Sequence, residues 1–284
     1  MTLCDVGVVV VTRDRCDRVL ATLDRLAGLP ERPELIVVDN GSGDGTPRAV
    51  RRRHPRATVL SLSENAGSSA RNAGARALST ELVAFSDDDS WWAPGSLSKA
   101  GETFALRPSL GLLQARILVG PKRRPDPICA EMSRSPLPVP AGLPGPAILG
   151  FIACGAVVRR RAFLGVGGFH SRFGVGGEET LLAFDMAAAG WELAYVDSVV
   201  AHHHPDAGGV RPGRPALEVR NELWTSWLRR RLPAAGAASL RVAAETIRRR
   251  DPRGLVQAVR GLPWVLRERQ PLPPGLDRAA GRIY

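Results

Sequence analysis

The sequence predicts an α/β protein: an open, mostly parallel sheet flanked by helices, followed by a basic helical appendage. Three observations carry this. Apolar runs at residues 6–11, 34–39 and 82–85 have the composition of strands buried on both faces. Segments of helical periodicity lie between them, such as Val19, Leu20, Leu23 and Leu26 before Gly28. Residues 211–284 carry 16 Arg against 6 Asp and Glu, a net +10 of the chain's total +11.

Taken in order, the strand at 6–11 leads through Thr12-Arg-Asp-Arg to the first helix, and residues 34–39 form the second strand. Asn40-Gly-Ser-Gly-Asp-Gly45 is a turn, and Thr46 caps a helix to Arg53. A short strand at 58–61, a helix at 70–78 and the strand at 82–85 complete a strand–helix alternation that favours parallel pairing. A helix follows Pro94 to about Leu106, and residues 110–119 are read as a strand. Residues 120–146 are a proline-rich connection of low helix or strand expectation, and 151–158 form a strand. The glycine-dense stretch 165–177 delivers Glu178-Glu179 to a helix ending at Gly190, and a strand at 191–201 runs into His202-His-His-Pro205.

Composition narrows the function classes. The hydrophobic share of 44% with 24% charge is that of a soluble globular chain with a sizeable core. Cys4, Cys16, Cys129 and Cys154 are widely spaced, so they read as reduced thiols rather than a zinc site or staple. No basic-then-apolar leader precedes the first strand, and the proline-free uncharged run 147–158 is too short to span a bilayer. A cytoplasmic location is expected. A dinucleotide fold needs glycines after the first strand, and neither these nor a Walker A loop is present.

The strand at 82–85 ends in Asp87-Asp88-Asp89, then Trp91 and Trp92. Three adjacent carboxylates need water or a divalent cation to relieve their repulsion. Extended geometry would turn Asp87 and Asp89 one way and Asp88 the other, offering two hard oxygen ligands to Mg²⁺ or Mn²⁺. The plainer alternative is an acidic, solvated loop capping the next helix. Asp39 ends the second strand at the same edge, where open α/β sheets bind ligands.

These pieces in this order resemble glycosyltransferase family 2, inverting nucleotide-sugar enzymes of the GT-A fold. The resemblance rests on Thr12-Arg13 after an apolar strand, Val37-Val-Asp-Asn-Gly-Ser42, Asn65-Ala-Gly67, Arg71-Asn72-Ala-Gly74, Asp87-Asp-Asp89, Gly167-Gly-Phe169, Glu178-Glu179 and a strand ending in His202. It covers roughly residues 6–205. It implies that Thr12, Arg13, Asp39, Arg71, Asp87 and Asp88 bind the donor, a UDP-, dTDP- or GDP-sugar. It implies that Asp87, Asp89 and His202 hold a Mn²⁺ or Mg²⁺ ion, with His203 and His204 close enough to share that role. The family's catalytic base is the acid of a Glu-Asp pair. Here Glu179 takes that position, and Glu178 stands beside it as the other candidate. The acceptor would be a glycan, a lipid-linked or a small-molecule hydroxyl, with Trp91 and Trp92 as candidate contacts.

The domain reading is a catalytic unit at 1–210, split into a donor half (1–106) and an acceptor half (107–210), then a helical tail at 211–284. In the tail Leu217, Trp224 and Leu228 share one helical face, Leu240, Ala243 and Ile247 a second, and Leu255, Val256, Val259 and Leu262 a third. These faces either pack on the core or meet an anionic membrane at the inner face of the plasma membrane. No nucleic-acid motif accompanies the charge. Two other classes stay open on sequence alone: a catalytically silent nucleotide-sugar or glycan-binding protein, and a membrane or polyanion module dominated by the tail.

Overall fold

The computed structural model describes residues 5–206 and 213–284; Cys4 and Arg211 lie outside them. The first part of the chain alternates as expected: β1 (Val6–Thr12), α1 (Cys16–Ala27), β2 (Leu35–Asp39), α2 (Thr46–Arg53), β3 (Thr58–Ser61), α3 (Ala70–Ala77) and β4 (Leu82–Asp87). Then come β5 (Ser90–Trp92), α4 (Ser96–Leu106), β6 (Leu110–Val119), β7 (Arg124–Pro125), α5 (Pro127–Ser133), β8 (Ala156–Arg159), α6 (Arg160–Gly165), α7 (Glu178–Ala188) and β9 (Glu192–His203). The tail forms α8 (Arg214–Arg229), α9 (Leu232–Arg249), α10 (Arg253–Arg260), α11 (Leu262–Glu268) and α12 (Pro274–Ala280).

The strands make one sheet in the order β3-β2-β1-β4-β8-β6-β9-β5, with β7 paired to β6. β3, β2, β1 and β4 are parallel, as are β6 and β9; β8, β5 and β7 run against them. Order reverses at β1: the chain steps outward to β3, then returns to lay β4 on β1's other side. That switch point is where such sheets open a crevice at the strands' carboxyl ends.

The run 6–11 is apolar throughout because both faces are covered. Val9 and Phe85 join one cluster with Ala70 and Ala75 of α3. Val8, Val10, Leu82 and Ala84 join the opposite one with Val19, Leu23 and Leu26 of α1. The two-residue period splits one hydrophobic run between two cores.

Two expectations change here. The connection 120–146 contains α5, whose start is a local device: the Asp126 carboxylate accepts from the Ile128 amide at 3.1 Å and Pro127 opens the helix. The expected strand at 151–158 begins only at Ala156, after a 3-10 turn at Ala153–Gly155.

The glycine-dense loop is anchored by Asn72. Its side-chain amide donates to the Phe169 carbonyl at 2.8 Å and accepts from the Phe169 amide at 2.9 Å. Phe169 then packs against Phe85 and Phe163. A second tie is the Ser68 amide donating to the Gly174 carbonyl at 2.8 Å. At Gly67, with φ +60°, a Cβ would lie 2.7 Å from Gly174 Cα, so only glycine permits this approach. Asn72→Ala leaves two buried groups of Phe169 without a partner. It is expected to cost about 2–4 kcal/mol, a Tm drop of roughly 5–10 °C, read by thermal unfolding; an unchanged Tm refutes the anchor.

The tail helices share cores with the sheet unit. Leu223, Trp224, Leu228 and Trp264 cluster with Phe173 and Leu181, while Leu272 and Ala280 cluster with Leu137, Leu149 and Phe184. Arg229 pairs with Asp185, and Arg230 holds Asp277 at 2.7 Å. For the second of these faces the core-packing alternative does not hold: Leu240 and Ile247 point to solvent, and α9 packs through Ala235, Val242 and Thr246. In α10 Val256 and Val259 are likewise exposed, and Ala258 is the buried residue.

Candidate active site

Strand register assembles the site. Thr12 pairs with Asp39 and Val11 with Asp87, so the polar ends of β1, β2 and β4 finish level at one edge. Asp39 is buried; its Oδ2 accepts from the Ser42 amide at 3.3 Å, and its Oδ1 has no partner among the described residues. Asn40 clamps the neighbouring loop, donating to Asn65 Oδ1 at 2.9 Å and accepting from the Ala66 amide at 2.8 Å. Arg13 lies toward solvent beside Asp14.

The three aspartates do not follow strand alternation. β4 ends at Asp87, and Asp88-Asp89 form the turn into β5, a strand too short to read without its partner. Asp87 pairs with Arg71. Asp88 accepts from Thr12 Oγ at 3.1 Å and forms an ion pair with Arg15 at 2.6 Å. Asp89 meets the same guanidinium at 3.2 Å, and Asp206 meets it at 2.6 Å. The expected pairing of Asp87 with Asp89 is therefore replaced by Asp88 with Asp89 around Arg15. Burial, with the charges of Asp89 and Asp87, pushes Asp88 up to about 6 even though Arg15 opposes it. Although burial raises Asp89, His203 and Arg15 bring it below the usual carboxylate range.

The histidine run alternates along β9. Ser90 lies opposite His203 and Trp91 opposite His202. His203 Nε2 sits 3.5 Å from Asp89 Oδ1. His202 instead stacks on Trp91, and His204 meets that ring edge-on. His203 thus stands beside the acid cluster where His202 was expected. The tryptophans change meaning too. Trp92 is fully buried in the core, and Arg25 lies 4.0 Å over the Trp91 ring that His202 also covers. Cross-strand packing against β9 leaves neither indole as an open platform for an acceptor.

Glu178 and Glu179 begin α7 after Gly177, whose φ is +83°. Glu178 is buried and accepts from the Gly176 amide. Burial raises its pKa. Glu179 is half-buried, and burial together with the Glu178 charge pushes it up to about 8. Arg71 joins the two halves: it pairs with Asp87, and Glu178 and Glu179 both add to the field that keeps its guanidinium charged.

Among the described residues no three His, Cys, Asp or Glu side chains are gathered as a ready metal cage. Asp89 and His203 are nevertheless hard-oxygen and imidazole donors of the kind Mn²⁺ and Mg²⁺ accept. Arg15, Asn40 and Asp206 are residues the sequence reading missed. The available signal was the unneutralised acid run itself, with Arg13, Arg15 and Arg18 directly after β1.

Aspartates at the sheet's switch point, and a second acid pair delivered by a glycine loop, make up the candidate site of a mostly parallel α/β fold. The glycosyl transferase family 2 model matches residues 7–166, and the chain belongs to that family. A curated relative, the N-acetylglucosaminyl-diphospho-decaprenol L-rhamnosyltransferase of Mycobacterium tuberculosis, is 28% identical over 239 residues, covering 69% of this chain and 74% of the relative. Among solved structures, the mannosyltransferase PcManGT from Pyrobaculum calidifontis, in complex with GDP-Man and Mn²⁺, superposes with TM-score 0.59 at 22% identity, over 93% of this chain and 88% of that one. S. aureus TarS residues 1–349 give TM-score 0.60 at 16% identity, over 78% and 64%.

Proposed function

We propose that this glycosyltransferase moves a sugar from a nucleoside-diphosphate donor to an acceptor hydroxyl by a single displacement that inverts the anomeric carbon. The observation that carries the reading is Glu179: a carboxylate with proton affinity near neutrality, electrostatically linked through Arg71 to the aspartates at the sheet edge. A base poised near working pH is what deprotonating a sugar hydroxyl requires.

Asp39 Oδ1, buried and unpartnered, is suited to accept an N–H from the donor's base. Thr12, paired with Asp39 across the sheet, and Arg13 would line the same pocket, with Asp87 and Asp88 serving the ribose and diphosphate. Asp89 and His203 would hold the divalent ion. When bound, that ion supplies positive charge for a diphosphate that could not otherwise sit against aspartates. Arg71 holds Asp87 in place. Glu179 takes the acceptor hydroxyl proton as the oxygen bonds to the anomeric carbon. The bond from that carbon to the β-phosphate oxygen breaks, and its electron pair leaves with the nucleoside diphosphate.

The relative's printed name favours a lipid-linked diphospho-sugar acceptor and a deoxyhexose donor. The test is a thermal-shift screen of nucleoside diphosphates and their sugars, with and without Mn²⁺. One base is expected to stabilise by about 2.7 kcal/mol at a hundredfold excess over Kd, and only with the metal. No shift from any nucleotide under either condition would sink the proposal.

A further inference from the structure

α9 has two apolar faces, and the fold uses only one. Ala235, Val242 and Thr246 are buried, and Ser239 accepts from the Trp227 indole at 2.8 Å. On the opposite side Pro233, Ala237, Leu240, Ala244 and Ile247 recur at steps of four and three residues, and every one is exposed. Leu240 is 75% exposed and Ile247 77%. Such a stripe is the mark of a helix meeting a second apolar phase. In α10, which packs on α8 as α9 does, Val256 and Val259 are exposed as well, at 44% and 50%.

Charge identifies that phase. Residues 232–260 hold six Arg against Glu245 and Asp251. Arg241 and Arg248 each directly follow an exposed apolar residue of the stripe. A second copy docking symmetrically on this face would bring arginines against arginines. An anionic lipid surface offers both an apolar layer for Leu240 and Ile247 and phosphates for the guanidinium rim. The long arginine stems also let the charge reach headgroups while the apolar stripe sits deeper.

We infer that the outward face of α9, continued by α10, is a docking surface for an anionic lipid bilayer. This inference is independent of donor, metal and base, because it rests on residues remote from the carboxylates. It would hold the enzyme on the surface where a lipid-borne acceptor is found.

The test uses the full chain and flotation with vesicles of phosphatidylglycerol and phosphatidylcholine, or of phosphatidylcholine alone. Binding is expected only to the anionic vesicles and should weaken as salt rises. The double variant Leu240→Ser, Ile247→Ser is expected to lose at least about tenfold in vesicle affinity. Its Tm and its nucleotide-induced thermal shift should be those of the parent, since both side chains are exposed. Arg248→Glu with Arg249→Glu should lower anionic binding to a similar degree. Three outcomes would overturn the inference: equal flotation on neutral vesicles, anionic binding indifferent to the serine pair, or a dimer that the serine pair dissolves while vesicles are ignored.

Discussion

Replacing Glu179 with Gln is expected to lower transfer at least about 10³-fold, while donor affinity stays within a factor of about three. Gln keeps the shape and one acceptor oxygen but cannot take a proton. Glu178 is a poorer base candidate because its carboxylate is buried and occupied by the Gly176 amide. Glu178→Gln should therefore act mainly through the loop, lowering Tm and activity together. In the parent enzyme only ionised Glu179 can accept the hydroxyl proton, so kcat/KM should rise with pH through about 8. The stability consequence has the opposite sign. Burial and Glu178 raise the folded-state pKa from 4.5 to about 8, so the folded protein retains a proton that the unfolded chain has lost between those values. The parent should lose stability as pH rises across that window, and Glu179→Gln should not. The Tm advantage of the variant is expected to widen by roughly 5 °C between pH 5 and 8.5. Full activity in the Gln variant, or a flat kcat/KM profile between pH 6 and 9, would remove Glu179 from the chemistry.

What the sequence disclosed and what it hid follow one physical division. β1, β2 and β4 were legible because burial on both faces leaves continuous apolar runs, and register then sets Asp39 beside Thr12 and Asp87 beside Val11. β5 was hidden because three residues carry no periodicity, and its partner β9 lies more than a hundred residues away. Missing β5 hid the orientation of Asp88 and Asp89, the burial of Trp92 and the register that sets His203, rather than His202, beside Asp89. In the tail, periodicity correctly marked α9 as amphipathic. It could not say which of two apolar stripes faces inward: Val242 is 4% exposed and Leu240 75%. Arg15 was hidden for another reason: an arginine in a turn has no pattern, and only the fold brings it to Asp88, Asp89 and Asp206.

That arginine shapes the second large effect. Asp89→Ala is expected to abolish the Mn²⁺-induced thermal shift and to lower transfer about 10²–10³-fold. It removes the hard oxygen nearest His203. His203→Ala should weaken Mn²⁺ binding in the same direction, whereas His202→Ala, at a ring that packs on Trp91, should not. Arg15 already supplies positive charge to Asp88, Asp89 and Asp206, so a divalent ion at Asp89 must share or displace it. Arg15→Gln removes the competitor and leaves three carboxylates short of a cation. In metal-free protein the loss of this largely buried pairing should cost about 1–3 kcal/mol. In the same variant the carboxylates should bind Mn²⁺ more tightly, so the shift on adding Mn²⁺ should exceed the parent's. The two substitutions thus move metal response in opposite directions while both lower metal-free stability or activity, a pattern that general unfolding does not produce. If Arg15→Gln and Asp89→Ala both leave the Mn²⁺ shift at the parent value, the aspartate turn is not where the ion sits. Arg15 alone would then be the counter-charge for these acids, and the diphosphate would have to be neutralised by other groups.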